Sequence, residues 1–380
     1  MFLRPMLPSS PPKPAPANQI RTEINRLLAA YAGTAGVGSD AYASERMNHP
    51  MAEAKYLMAI AALRSADLLS EQKFVELATK PVQRLQRCKI GTEVGPAWGL
   101  GFAWRDLPEN EPFLITTSLV VEALAVTSLT LPDNKSIKSE FFEGFNTLTN
   151  WCTQWTAVDE PSGAKLPFYS PGIPEPVYNS AAYAAGVLRR YDRAGGNSAT
   201  TGLTEQILRS VANQRRIDIG WHYSAKSGIV DLLHQCYLLE ALRGFVDDAE
   251  RERQLRDTIS VFYAGDQYFD KCANVGHHFP PIDSHVPILR KYGDSYYRFP
   301  APCARLWSLG ELLRVIANII PASTNTVAWK RVGQQLVDRV LLSLAEGPDR
   351  EFPRQTMHAL HGLTAYLAAL RGSQTRPKGE

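Results

Sequence analysis

The sequence contains no run of about 18 apolar residues, the length a helix needs to cross a membrane, so no integral membrane segment is expected. Its opening, MFLRPMLPSSPPKPAPANQ, lacks the apolar stretch of a secretory leader and is interrupted by prolines, so no leader is expected. Neither sign of charge is in excess: 41 basic against 38 acidic residues leave +3, too balanced to favour nucleic acid or a membrane surface. Cysteine is sparse. Cys88, Cys152, Cys236, Cys272 and Cys303 form no CxxC pair, and an odd, scattered set is no disulfide framework. They read as buried free thiols of a reducing compartment, and the expected location is cytoplasmic. There is no Gly-rich phosphate loop, no GxSxG elbow and no HExxH, and no cofactor is expected.

What is present is helical periodicity. Of 380 residues, 44% are apolar and 21% charged, an ordinary globular balance. Apolar residues recur at helical spacing over 19–32, 51–65, 70–87, 116–130, 136–156, 178–192, 202–214, 230–246, 250–265, 300–319, 325–345 and 355–371. These are twelve helices, or six pairs. Strand signals are nearly absent, with GWHYSA at 220–225 the best candidate. Ser70 stands at a helix start, Pro132 and Gly195-Gly196 follow helix ends, and Asp231 falls in a first turn, where negative charge suits the dipole. A single domain is expected over 19–372, between a flexible Pro-rich arm (1–18) and a flexible tail (373–380).

The connectors alternate in length. Those at 88–115, 157–177, 215–229 and 266–299 are long and rich in Gly, Pro, Trp, Tyr and His, and long loops inside a compact domain are usually functional. The recurrence of aromatic loop, helix and return helix predicts an all-α ring of hairpins closing on itself. Its inner helices would carry small residues, as over Ser180–Gly186.

Four segments carry candidate chemistry. In the first, Trp98 and Trp104 precede Arg105, Asp106, Glu109 and Glu111; aromatic faces stack on the apolar faces of sugar rings while polar neighbours bond the hydroxyls. The same residues would equally serve as a loop anchored by its tryptophans. In the second, Tyr178 and Asn179 open a helix, and Asn179 either caps it or holds a carboxylate or hydroxyl in a cavity. In the third, Asp231 and His234 stand three apart on one helix face, after Trp221, His222 and Tyr223. A carboxylate beside a histidine raises its basicity, which suits proton abstraction or donation; the bland alternative is an N-cap and a core histidine. In the fourth, His277, His278, Asp283 and His285 fall within nine residues, ahead of Arg298 and Arg305. Their spacing matches no metal motif, and a rigid cavity-lining loop is expected instead of a metal site. The two arginines suit an anionic sugar. His358 and His361 read as core or surface.

Taken in order, the WGxxFxW loop, Thr116-Thr117, YSPG…VYNSAA, WxY…VDxxH and the Pro- and His-containing loop resemble the six-hairpin (α/α)6-toroid proteins of bacterial exopolysaccharide and lipopolysaccharide synthesis. Those are similar in turn to glucuronyl 5-epimerases and the helical domains of heparinase-like lyases. The resemblance covers about 98–310. It implies a central cleft that handles a saccharide or polysaccharide intermediate, with Trp98, Trp104, Asn179, Trp221, Tyr223, Asp231 and His234 facing it. His222 and the histidine-rich loop depart from the pattern.

Three functions are compatible with these residues. Proton abstraction from an acidic saccharide, as in an epimerase or lyase, would use Tyr223 or His234 as base, with Asn179 and Arg105 or Arg298 neutralising the carboxylate. Hydrolysis would pair Asp231 with Asp106 or Glu109. A non-catalytic binding or assembly protein would keep the aromatic cavity alone.

Overall fold

The computed structural model describes residues 17–34, 36–40, 42–195, 200–264, 288–292, 295–299, 305–346 and 348–372. These contain twelve α-helices: α1 (Ala17–Thr34), α2 (Pro50–Ser65), α3 (Glu71–Arg87), α4 (Leu114–Thr130), α5 (Lys135–Gln154), α6 (Tyr178–Gly195), α7 (Thr201–Ala212), α8 (Leu232–Ala241), α9 (Asp248–Ile259), α10 (Leu306–Ile319), α11 (Thr326–Glu346) and α12 (Pro353–Gly372). The even-numbered helices pack in the order α2, α4, α6, α8, α10, α12 and back to α2, so they close a ring. The odd-numbered helices lie outside: α3, α5, α7, α9 and α11 each pack on the preceding inner helix, and α1 packs on α12.

Burial explains the division. In α4 fourteen residues are buried, from Leu114 to Ser128, because neighbours surround it. Outer α3 buries only the stripe Phe74, Ala78, Pro81, Val82 and Leu85. Where α10 crosses α12, both backbones require glycine. A methyl group on Gly310 would strike the His358 carbonyl oxygen, and one on Gly362 would strike that of Gly310.

Every inner helix starts at the same mouth. The segments entering inner helices, 35–49, 88–113, 155–177, 213–231 and 265–305, are long, and only 347–352 is short. The segments leaving them, 66–70, 131–134, 196–200, 242–247 and 320–325, are all short. The two faces of the ring are therefore a long-loop mouth and a short-loop mouth.

The expectation of almost no strand is corrected. Ten short strands occur among the described residues, all in the long segments and all paired antiparallel: β1 (Val37–Asp40) with β2 (Ala43–Asn48), β3 (Ile90–Thr92) with β4 (Gly95–Ala97), β5 (Thr156–Val158) with β6 (Lys165–Ser170) and β6 with β7 (Ile173–Pro176), and β8 (Ile229–Val230), β9 (Ile288–Tyr292) and β10 (Ser295–Phe299) in the order β10-β9-β8. Long loops still have backbone donors and acceptors to satisfy, and hairpins do so locally. GWHYSA forms no strand; Gly220 and Ser224 make isolated bridges only.

Two helices are shorter than their periodicity predicts. Asp231 is the N-cap of α8, not a first-turn residue, and the helix ends at Ala241 before the Arg243–Val246 bridge. Helix α10 starts at Leu306 because Arg305 is left-handed, at φ 59°, and cannot continue a helix backwards. Ser70 caps α3 as expected, accepting from the Lys73 N–H at 3.3 Å.

Candidate functional site at the long-loop mouth

At the start of α8 the Asp231 carboxylate accepts from the Leu233 N–H at 2.9 Å and forms an ion pair with Arg305, the residue before α10. Both side chains are about 95% buried. Burial pushes the Asp231 carboxyl up, but Arg305, His234 and the His234 backbone N–H outweigh it and hold the group below its ordinary range. The His234 Nδ1 lies 3.9 Å from Asp231 and has no hydrogen-bond partner. Burial lowers the His234 pKa; Asp231 opposes that and Arg305 reinforces it, so the imidazole is neutral at pH 7.

The His234 ring lies 4.7 Å from that of Tyr223. Tyr223 meets Tyr169 edge-on at 6.3 Å, and Tyr169 meets Trp104 at 6.4 Å. The exposed Arg105 guanidinium covers Trp104 at 4.2 Å. Burial, and then the neighbouring Tyr169, raise Tyr223 well above the ordinary phenol range, so its hydroxyl stays protonated. Beyond Arg305 the contacts continue to buried Trp307, whose ring stacks on exposed Tyr42 at 6.2 Å and carries the Arg354 guanidinium at 4.5 Å. One band of side chains thus runs from Arg105 through His234 to Tyr42.

Polar atoms in the first turns of the inner helices lack partners. Thr116 Oγ1 at the start of α4, Asn179 Oδ1 and Ser180 Oγ at the start of α6, His234 Nδ1 at the start of α8, and Trp307 Nε1 and Ser308 Oγ at the start of α10 are all buried without a hydrogen bond. Buried polar atoms are ordinarily satisfied, and exceptions call for a ligand or water. Four inner helices contribute here in their first turns, and the positive ends of helix dipoles meet at the same place.

The residues singled out from sequence divide clearly. Tyr223, Asp231, His234, Trp104 and Arg105 come together. Asn179 is the second residue of α6 and not its cap, since the helix begins at Tyr178, and its Oδ1 is buried without a partner. Trp98 and Trp221 do not face a cleft: both are wholly buried, and their indole N–H groups donate to the carbonyls of Leu85 (2.8 Å) and Val211 (2.9 Å). Tyr178 is buried too, donating to Asp159 at 2.9 Å. Asp106 is exposed on the turn between Trp104 and Leu107. His222 stands apart from Tyr223: burial first, then Arg216 and Lys291, lower its pKa, while Asp218 opposes them. His285, with His277, His278 and Asp283, lies outside the described residues, as does the Arg298 side chain.

A second set of polar residues escaped sequence reasoning. The sixth residues of the inner helices are Lys55, Leu119, Tyr183, Tyr237, Glu311 and His358. The ninth are Met58, Glu122, Gly186, Glu240, Arg314 and His361. Together they plug the axis. Lys55 pairs with Glu311 and lies 5.3 Å from the Tyr237 ring. Tyr237 bonds His358 Nε2 at 2.8 Å, and His358 Nδ1 donates to the Arg354 carbonyl at 2.6 Å, which makes the neutral tautomer the one that fits. Glu122 accepts from Tyr183 and from Arg190 at 2.8 Å. Arg314 bonds Glu311 at 2.8 Å and lies 3.3 Å from Glu240. Burial pushes Glu240 up, but Arg243, Arg314 and Arg190 more than cancel it and hold the group at about 2.

No protein-family model and no curated protein sequence matches the chain. Solved structures do match over nearly its whole length. The cellobiose 2-epimerase of Spirochaeta thermophila is 13% identical, with 94% of this chain and 98% of that one covered and a TM-score of 0.58. The fold is an (α/α)6 toroid. The GH76A α-1,6-mannanase of a Salegentibacter species matches this toroid at 9% identity, 92% and 99% coverage and a TM-score of 0.56. A Rex8A variant from Paenibacillus barcinonensis, solved with an arabinofuranosyl-xylotetraose, matches at 12% identity, 93% of each chain and a TM-score of 0.54. At such identities the likeness is one of fold.

Proposed function

We propose that this toroid is a carbohydrate-active protein that binds an acidic saccharide at its long-loop mouth and removes a carbon-bound proton from it. The observation that carries the reading is the set of partnerless buried polar atoms in the first turns of four consecutive inner helices, with neutral His234 among them and protonated Tyr223 in contact with it. Fold neighbours that act on or bind saccharides support the substrate class. In this scheme Arg105 and Asn179 meet the sugar carboxylate, and Trp104 and Tyr169 stack on the ring. His234 takes the proton α to the carboxylate, and the charge moves into an enolate facing the helix N-termini. Return of a proton from solvent to the other face gives the epimer, while Tyr223, in contact with the His234 ring, donates a hydrogen bond to the enolate from the His234 side; loss of a β-substituent instead gives elimination. Arg305 and Asp231 are positioning residues, since their charges are spent on each other. The three cysteines of the described residues, all free, support a cytoplasmic setting.

The same geometry weighs against paired-carboxylate hydrolysis. Asp231 is held by Arg305, Asp40 by Arg354, Asp159 by Tyr178, and Glu111 accepts from the Gly172 N–H at 2.6 Å. The test is incubation with uronate-containing oligosaccharides in deuterated water. Deuterium uptake at the carbon α to the carboxylate, lost in His234→Gln and reduced about 10²-fold or more in Tyr223→Phe, is the expected result. Binding without exchange in the unaltered protein would show a non-catalytic saccharide binder.

A further inference from the structure

The short-loop mouth holds a cavity of about 1290 Å³ that the proposed function does not use. Its floor is the ninth-residue layer of the axis: Glu122, Glu240, Arg314 and His361 all line it. None of the sixth-residue layer does, so the Lys55–Glu311 and Tyr237–His358 contacts separate it from the long-loop mouth. The floor is more than nine-tenths buried, yet it has spare capacity. Arg314 Nη2 and His361 Nδ1 have no hydrogen-bond partner, and Glu240 Oε1 lies 3.3 Å from both Arg243 and Arg314 without meeting hydrogen-bond geometry to either. A guanidinium that only donates, beside a carboxylate that only accepts, matches hydroxyl groups, which do both.

The walls add charge. Five basic side chains against three carboxylates leave the lining at +2. Arg64 and Arg371 sit in the last turns of α2 and α12, and Arg243 just beyond α8, where cations suit the negative helix ends. Lys330 has no such role. It projects from the first turns of outer helix α11 and makes no ion pair among the described residues. Tyr191 and the alanines Ala365, Ala368 and Ala369 supply an apolar wall.

We propose that this cavity is a second ligand site, for a small polyol bearing one phosphate or carboxylate. Its hydroxyls meet Arg314 and Glu240, and its anionic group meets Lys330 and Arg243. The site is independent of the acid–base chemistry at the other mouth.

The experiment is calorimetric titration of the full chain with glucose 6-phosphate, glucuronate, glucose and inorganic phosphate. Glucose 6-phosphate binds at one site per chain, and glucuronate at a site that His234→Gln leaves intact, each about tenfold or more tighter than glucose or inorganic phosphate. Lys330→Gln weakens that binding about tenfold, and Ala368→Trp, which fills the cavity from its apolar wall, abolishes it. Circular dichroism confirms that both variants fold. His234→Gln leaves the affinity unchanged, which separates this site from the proposed catalytic one. The proposal is overturned if neither anionic sugar binds, if inorganic phosphate binds as tightly, or if glucose 6-phosphate binding survives Ala368→Trp.

Discussion

Acid should loosen this protein through its axis before it protonates most carboxylates. His358 titrates at about 3 in the folded chain, because burial and then Lys55 oppose its charge, against an ordinary 6.5. The groups facing it are Lys55 from α2, Tyr237 from α8 and Glu311 from α10, with Arg354 on its own helix. Below pH 6.5 the unfolded chain binds a proton that the folded chain refuses until about 3. The stability present above 6.5 is therefore lost as pH falls, at about 1.4 kcal/mol per unit, or about 2 kcal/mol between pH 6.5 and 5. His361, also lowered by burial, acts with the same sign, while the raised carboxyl of Glu53 acts with the opposite one. Both cancel in a comparison with His358→Gln, whose amide can still accept from Tyr237 but does not titrate. Urea unfolding of both proteins from pH 7 to 5 is the measurement. The variant should be the less stable at pH 7, and the gap should narrow by about 2 kcal/mol by pH 5. Parallel curves would refute the reasoning, since they would mean that His358 protonates alike in both states.

Arg305→Met leaves Asp231 charged, buried and unpaired; it should cost about 3–5 kcal/mol in denaturant unfolding, much of it recovered when Asp231→Asn is added. Trp221→Phe removes the indole bond to the Val211 carbonyl, which keeps the Gln214 N–H at 3.0 Å, and should cost about 1 kcal/mol while leaving saccharide affinity intact, whereas Trp104→Ala should lower that affinity with little loss of stability. Gly310→Ala would add about 1 kcal/mol of helix propensity on an exposed face, but here it should lower the melting temperature, because the methyl group meets the α12 backbone.

The ring itself was largely legible. Spacing located all twelve helices, and loop length together with the small residues of 180–186 identified α6 as an inner helix. The alternation of long aromatic connectors with short ones was legible too, and the long ones do precede inner helices. The axis network was not legible. Glu122 within LVVEALAV or Lys55 within AEAKYLMAI reads as an isolated polar residue in an apolar helix, and its partners stand on other helices. The signal exists only when the six inner helices are aligned by their first residues, and helix starts read from sequence are uncertain by more than that register allows. The tryptophans failed differently. An indole suits a core and a sugar equally, and the carbonyls that claim Trp98 and Trp221 belong to other helices. Asp231 lies beside His234, as their spacing implies, but the arginine that claims its charge arrives from beyond the 266–299 connector, a pairing that no local pattern announces.

The closure of α2 and α1 against α12 has a topological consequence. Helix α1 begins, and α12 ends, at the short-loop mouth, so the place where the chain is cut is a property of the polypeptide and not of the ring. Joining Ala17 to Gly372 through a flexible linker and opening the chain within 131–134 would rotate the order of the hairpins without changing any neighbour. Sequence order and ring order are separable in this protein, and each hairpin holds its place by the two hairpins it touches.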